Sequence, residues 1–154
     1  MKQLSEQAFW EFSCQLYQQG NAQNTLLMLQ NERQKNINLC LLLLYLEKLQ
    51  LQISEPDIAH LTVLCQQLDT LLLAPHRAIR ANLKQSYSQH AHYQTLRKQL
   101  LQSELQLERL QQAELLRLTQ QLSLQPLTLS QNLSLYLNKY DATLLLQSLT
   151  DEKS

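Results

Sequence analysis

The sequence predicts an all-α fold, a helical bundle of about six to eight helices with one long helix near residues 88–122. Three observations carry this. The chain of 154 residues holds one glycine and three prolines, too few for the turns that strands and hairpins need. Its abundant apolar residue is Leu, and β-branched residues are sparse, which favours helix over strand. The apolar residues also recur at three- and four-residue spacing. The length suits a single domain, 1–154, with 1–4 and 151–154 expected to fray.

Ser5 is the expected N-cap of a first helix with Phe9, Phe12 and Leu16 on one stripe and Trp10, Cys14 and Tyr17 beside it. Gly20 and Asn21 end it, since both tolerate the left-handed conformation. A short second helix carries Leu26, Leu27 and Leu29, and a polar stretch, Asn31 to Asn38, follows. Next comes "LCLLLLYLEKLQLQI", apolar on every face for about two turns, which marks the most buried helix. Leu41, Leu42 and Leu44 are expected at the centre of the core. "SEPD" at Ser54 to Asp57 combines an N-cap serine, a first-turn proline and acids at the positive end of the helix dipole. That helix uses Ile58, Leu61, Leu64, Cys65, Leu68, Leu71 and Leu72, until Pro75 breaks or kinks it. "HRAIRANLK" opens a fifth helix.

From Ser88 to Leu122 the pattern is helical without a breaker, on the order of 50 Å at ~1.5 Å per residue. Tyr93, Leu96, Leu100, Leu107 and Leu110 make its expected apolar stripe, with Leu101, Leu105, Leu115 and Leu118 beside it. The tail reads as two short helices capped by Ser130 and Asp141.

Formal net charge is zero, so no global basic field draws the chain to nucleic acid. The longest apolar run, Leu39 to Leu46, falls far short of the ~20 residues that span a bilayer, which argues against a membrane partner. The first residues show no secretory signal, so a cytoplasmic location is expected. Cys14, Cys40 and Cys65 have no metal-ligand spacing and are expected to be reduced thiols packed in the core. Trp10, Tyr17 and Tyr45 are likewise expected in the core rather than on a ligand.

Several stretches together carry a resemblance: "FWEFSCQLY" at Phe9 to Tyr17, "LLMLQNERQKNINLCLLLLYL" at Leu26 to Leu46, "PHRAIRANLK" at Pro75 to Lys84, "LRKQLLQSELQLER" at Leu96 to Arg109 and "NLSLYL" at Asn132 to Leu137. In this order they resemble a proteobacterial family of conserved proteins classed as a domain of unknown function. The resemblance implies an all-helical fold and no assigned activity. The chain departs from the family pattern in one loop, where the family's Gly falls on Gln34 and its Asp on Asn36. That departure argues against an essential anion or metal role for the loop.

The charged residues hold the most local information. Glu104 and Glu108 lie four residues apart, about 40° around a helix, and so share a face. Their neighbours one turn away, Leu100, Leu101, Leu107, Gln111 and Gln112, supply no cation, and Arg109 points elsewhere. Arg77, Arg80 and Lys84 share a face of the preceding helix, and between Pro75 and Ser103 five cations, Arg97 and Lys98 among them, stand without an acid. Antiparallel packing of the two helices, as a short connection favours, would bring the arginines to the glutamates. An Arg–Glu network is the expected result, because the guanidinium fork suits a carboxylate. The candidate site, as charged network or ligand surface, is therefore Arg77, Arg80, Lys84, Arg97, Glu104 and Glu108.

No metal site is expected. Hard cations want about six oxygen ligands, and dimetal bundles use Glu-x-x-His, which does not occur here. His76, His90 and His92 read as solvated or capping, with His90 and His92 on different sides of a helix. No nucleophile–base pair, phosphate loop or cofactor motif stands out, so no catalytic residue and no cofactor is assigned. The sequence therefore favours a non-catalytic protein that acts by binding another protein or a second copy of itself. The alternatives are a helical enzyme or binder of a phosphate, diphosphate or lipid-like anion, and weak nucleic-acid binding through residues 75–98.

Overall fold

The computed structural model describes residues 4–128 and 132–150. Helix α1 (Glu6–Tyr17) starts where Ser5 Oγ accepts the Ala8 N–H at 3.3 Å. Gly20, at φ 46°, turns the chain into α2 (Ala22–Arg33). Gln34 closes α2 in the left-handed region, at φ 57°. Helix α3 (Ile37–Lys48) then begins at Asn36, whose Oδ1 accepts the Leu39 N–H at 2.9 Å. The polar stretch 31–38 is thus mostly helix, and only residues 34–36 link the two. Nine successive residues, Asn38 to Leu46, are buried. A helix this apolar on every side has no face to give to water, so α1, α2, α4 and α6 surround it.

After α3, Gln50 at φ 61° reverses the chain into Leu51–Gln52 (β1), which pairs antiparallel with Gln125–Pro126 (β2). The sequence predicts no sheet, and this two-residue pair is the exception. Asn132 explains why the segment stays extended. Its Nδ2 donates to Leu51 O at 2.8 Å and its Oδ1 accepts the Ile53 N–H at 3.1 Å, which satisfies backbone groups at the edge of the core.

Helix α4 (Glu55–Leu68) opens on Ser54, whose Oγ accepts the Asp57 N–H. It does not stop at Pro75. It runs through one π turn, Asp69–Leu73, into α5 (Ala74–Tyr87), so residues 55–87 form one continuous helix. Proline lacks the N–H for the carbonyl four residues back, and its ring would strike that carbonyl. The π turn, closed by the Ala74 N–H to Asp69 O, opens the helix at that point and absorbs the misfit.

The expected helix 88–122 is shorter: residues 88–92 form a turn and α6 runs over Tyr93–Gln120. The turn needs no breaker, because the Tyr87 and His90 carbonyls accept from the His90 and Tyr93 N–H groups. It also brings the His90 and His92 rings to 5.3 Å centroid separation, on one side rather than two. Helix α6 has 28 residues, about 42 Å, and folds back against α4 and α5 as a helical hairpin.

The tail holds a 3-10 turn, Leu133–Leu135, and one helix, α7 (Lys139–Ser148). The cap of α7 is Asn138, whose Oδ1 accepts the Asp141 N–H at 2.7 Å. Asp141, expected as the cap, lies inside the first turn and takes the Arg33 Nε–H at 3.1 Å instead, tying α7 to α2. The expected caps and ends at Ser130, 1–3 and 151–154 fall outside the described residues. Helix makes up 76% of the described chain, and no helix in it is long and apolar enough to cross a membrane.

The largest correction concerns the face of α6. Leu96 and Leu110, expected in its apolar stripe, and Leu105, expected beside it, are 41%, 42% and 48% exposed. Tyr93 and Leu115 are buried as expected, but Glu104, Gln111, Gln112, Leu116 and Thr119 are buried with them. The α4–α5 helix and the loop before α3 bring polar partners to that side, so the polar face turns inward. Two further side chains differ from expectation: Cys14 is exposed, and Trp10 is only half-buried under the Arg109 guanidinium, 4.9 Å from its ring. Tyr45 does pack in the core, stacked on Phe9 at 5.2 Å.

Candidate functional site

The inward polar face of α6 meets four other elements: the Gln34–Asn36 link, the first turn of α3, the π turn and the middle of α1. At this junction a chain of amides runs through the protein. Asp69, placed by the π turn, can only accept, and its Oδ1 takes the Gln111 Nε2–H at 3.1 Å. That fixes Gln111 Oε1 as an acceptor, which takes Asn38 Nδ2 at 2.8 Å and Asn36 Nδ2 at 3.2 Å. Asn36 is fixed independently, because its Oδ1 already caps α3, and its Nδ2 also donates to Asp69 Oδ2 at 3.0 Å. Asn38 Oδ1 in turn accepts from Gln112 Nε2 at 3.1 Å, which also donates to Ser13 Oγ at 3.0 Å. The direction set at Asp69 thereby leaves Gln112 Oε1 buried and without a donor.

Beside this relay stand the arginines. Arg80 Nη2 lies 3.2 Å from Glu104 Oε1, and Arg77 Nε lies 3.8 Å from the same oxygen. One carboxylate thus sits between two cations, each through a single contact rather than a two-bond fork. Glu108, expected to share this pairing, makes no ion pair and no side-chain hydrogen bond among the described residues. Burial pushes its carboxyl above the usual carboxylate range, and the charge of Glu104 adds to this, against the pull of Arg77 and Arg80. The Tyr17 hydroxyl is pushed up by burial and then by Glu108. Lys84 and Arg97 do not join the cluster; both are exposed, further along the hairpin.

A cleft of about 270 Å³ opens at this junction. Glu108, Arg77, Asn38 and Gln112 form its polar wall, and Trp10, Tyr17 and Leu41 line its apolar side. Cys14 reaches the cleft too. Burial pushes the Cys40 thiol up to about 12 and raises that of Cys65, so both stay protonated in the core. Among the described residues no group of three or more His, Cys, Asp or Glu side chains could hold a metal ion.

The charge pattern of the sequence points to Arg77, Arg80, Glu104 and Glu108, but nothing in it points to Asn38, Asp69 and Ser13 as their neighbours. A signal for the inward face is present. Glu104, Glu108, Gln111, Gln112, Leu115 and Leu116 follow one helical stripe, so the buried face of α6 continues from polar to apolar residues without a change of side.

The fold and the junction define a class: an all-helical protein with a bent helical hairpin and a buried amide relay at its base. Residues 8–115 match the family described as "Protein of unknown function (DUF2390)", and the chain belongs to that family. The matched span holds every residue of the relay and the arginine–glutamate cluster. No curated protein and no solved structure matches the chain.

Proposed function

We propose that the protein is a non-catalytic interaction protein whose α5–α6 hairpin docks on an acidic surface of another protein. The supporting observation is the unequal charge of hairpin and body. Residues 75–103 carry five cations and no acid, which leaves eight cations against thirteen acids in the rest of the chain. Arg80 is paired with Glu104 and Arg77 makes one long contact to the same oxygen, while Lys84, Arg97 and Lys98 stand exposed beyond it. Exposed Ile79, Tyr87 and Leu96 lie among them, and α5 buries none of its residues. A basic surface interleaved with large apolar groups suits a protein partner, because charge steers the encounter and apolar area holds it. Nucleic acid would use the cations and leave Ile79 and Leu96 without a role. A second copy fits less well: the exposed cations of two hairpins repel, and a hairpin set on the acidic body of another copy closes into a dimer only if both copies make that contact at once.

A photo-crosslinker at Tyr87, in cells that make the protein, tests this. The expected product is a protein crosslinked through an acidic, apolar segment. It should be lost on Lys84→Glu/Arg97→Glu/Lys98→Glu and on Ile79→Ala/Leu96→Ala, with helicity unchanged. A nuclease-sensitive product, a crosslinked second copy, or capture indifferent to both sets of substitutions would overturn the reading.

A further inference from the structure

The cleft at the base of the hairpin is separate from the docking surface, and its chemistry is specific. One side offers a carboxylate that nothing among the described residues pairs. Glu108 lines the cleft with no cation within ion-pair distance among those residues, and Gln112, which lines it too, has its Oε1 closed off and without a donor among them. The relay makes this arrangement rigid: the amide of Gln112 cannot turn its nitrogen to the cleft without losing Ser13 and Asn38. The same wall offers a donor, because Arg77 makes one long contact to Glu104 and keeps its remaining N–H groups. Trp10, Tyr17 and Leu41 line the same cleft. The site therefore asks for a cationic donor and an anionic acceptor on one small molecule with an apolar portion.

We propose that this cleft binds a free α-amino acid, its ammonium on Glu108 and its carboxylate on Arg77, with the side chain against Trp10 and Tyr17. The cleft of about 270 Å³ lies just below the range of drug-sized pockets, which suits a molecule of this size. A phosphate or diphosphate fits poorly, since Glu108 would meet it with like charge. A metal ion fits poorly as well, since one free carboxylate is far from the about six oxygen ligands a hard cation takes. An unfilled, half-buried carboxylate destabilises the empty protein, and a bound ammonium removes that penalty.

The chain supplies its own probes. Trp10 is the single tryptophan, and Cys14 is the exposed cysteine among the three. Each of the twenty free L-amino acids, at millimolar concentration, would be titrated while Trp10 emission and the rate of Cys14 alkylation are followed. At least one should change the emission and protect Cys14. Its N-acetyl derivative and its carboxamide should each bind more weakly by tenfold or more, about the worth of one charged hydrogen bond. Glu108→Gln and Arg77→Lys should show a loss of similar size. If Glu108→Gln fails to fold, the two blocked ligands on the wild-type protein decide the matter. No response to any amino acid would overturn the proposal. So would equal binding of the blocked forms, or a response to inorganic phosphate alone. Failure here leaves the hairpin crosslinking result untouched, because the two sites share no tested residue.

Discussion

Arg80 Nη2 contacts Glu104 Oε1 at 3.2 Å, while Glu108, one turn further along α6, has no such partner among the described residues. The two glutamates share a face and a sequence context, yet they stand in opposite electrostatic states.

Glu104 is 9% exposed, and the two arginines that hold it are only partly covered. Glu104→Gln should therefore lower stability by roughly 1–3 kcal/mol, since the amide cannot match the paired charge. A double-mutant cycle with Arg80→Met should give a coupling of about 1 kcal/mol, limited by solvent screening at the arginine. Strict additivity in urea unfolding would mean that the contact adds nothing.

Glu108→Gln should behave the other way. The folded-state pKa of Glu108 is raised by burial and by Glu104. The neutral acid is therefore favoured in the folded protein, and this favourable contribution is complete below the ordinary carboxyl pKa. It is lost as pH rises through the raised one. At neutral pH, Glu108→Gln should be neutral or stabilising, and its advantage over wild type should shrink as pH falls through the raised pKa, with no further change below about 4.5. Equal destabilisation by Glu108→Gln and Glu104→Gln at neutral pH would contradict this difference.

Leu42 is fully buried, at 0% exposure, in the middle of α3. Helices pack around it on several sides, so a cavity there cannot collapse easily. Leu42→Ala should cost about 2–5 kcal/mol in denaturant unfolding. A loss below about 0.5 kcal/mol would place this position outside the close-packed core.

Gln34 ends α2 at φ 57°, in a region where a side chain is strained and glycine is not. The Gln34 and Lys35 N–H groups both reach Leu29 O, so the conformation is held by the helix end itself. Gln34→Gly should raise stability by about 0.5–1 kcal/mol, measured as a higher denaturation midpoint. Destabilisation would show that the Gln34 side chain, through its bond to Asn31 O, outweighs the strain.

The sequence by itself determined that the chain is helical and which helix is central. Few glycines and prolines and a Leu-rich periodic pattern leave a chain little else to form, and "LCLLLLYL" has no polar side to expose. Local cap chemistry was legible where the cap acts alone, as at Ser5 and Ser54. It misled at Asp141, where Arg33 offers that carboxylate a stronger partner and Asn138 takes the cap.

Only the tertiary structure decided which face of α6 turns inward. A Leu at every few positions makes more than one stripe plausible, and apolar count alone favoured the one with Leu96, Leu100, Leu107 and Leu110. The buried one won because Asn36, Asn38, Asp69, Arg77 and Arg80 arrive from segments distant in sequence and satisfy its polar groups. A buried amide is costly without a partner and tolerable with one, and partners from other helices leave no mark in the local spacing. The same holds for the unequal fates of Glu104 and Glu108. Four residues apart on one helix, they are separated by the reach of two arginines across the hairpin, a distance that exists only once the chain has folded.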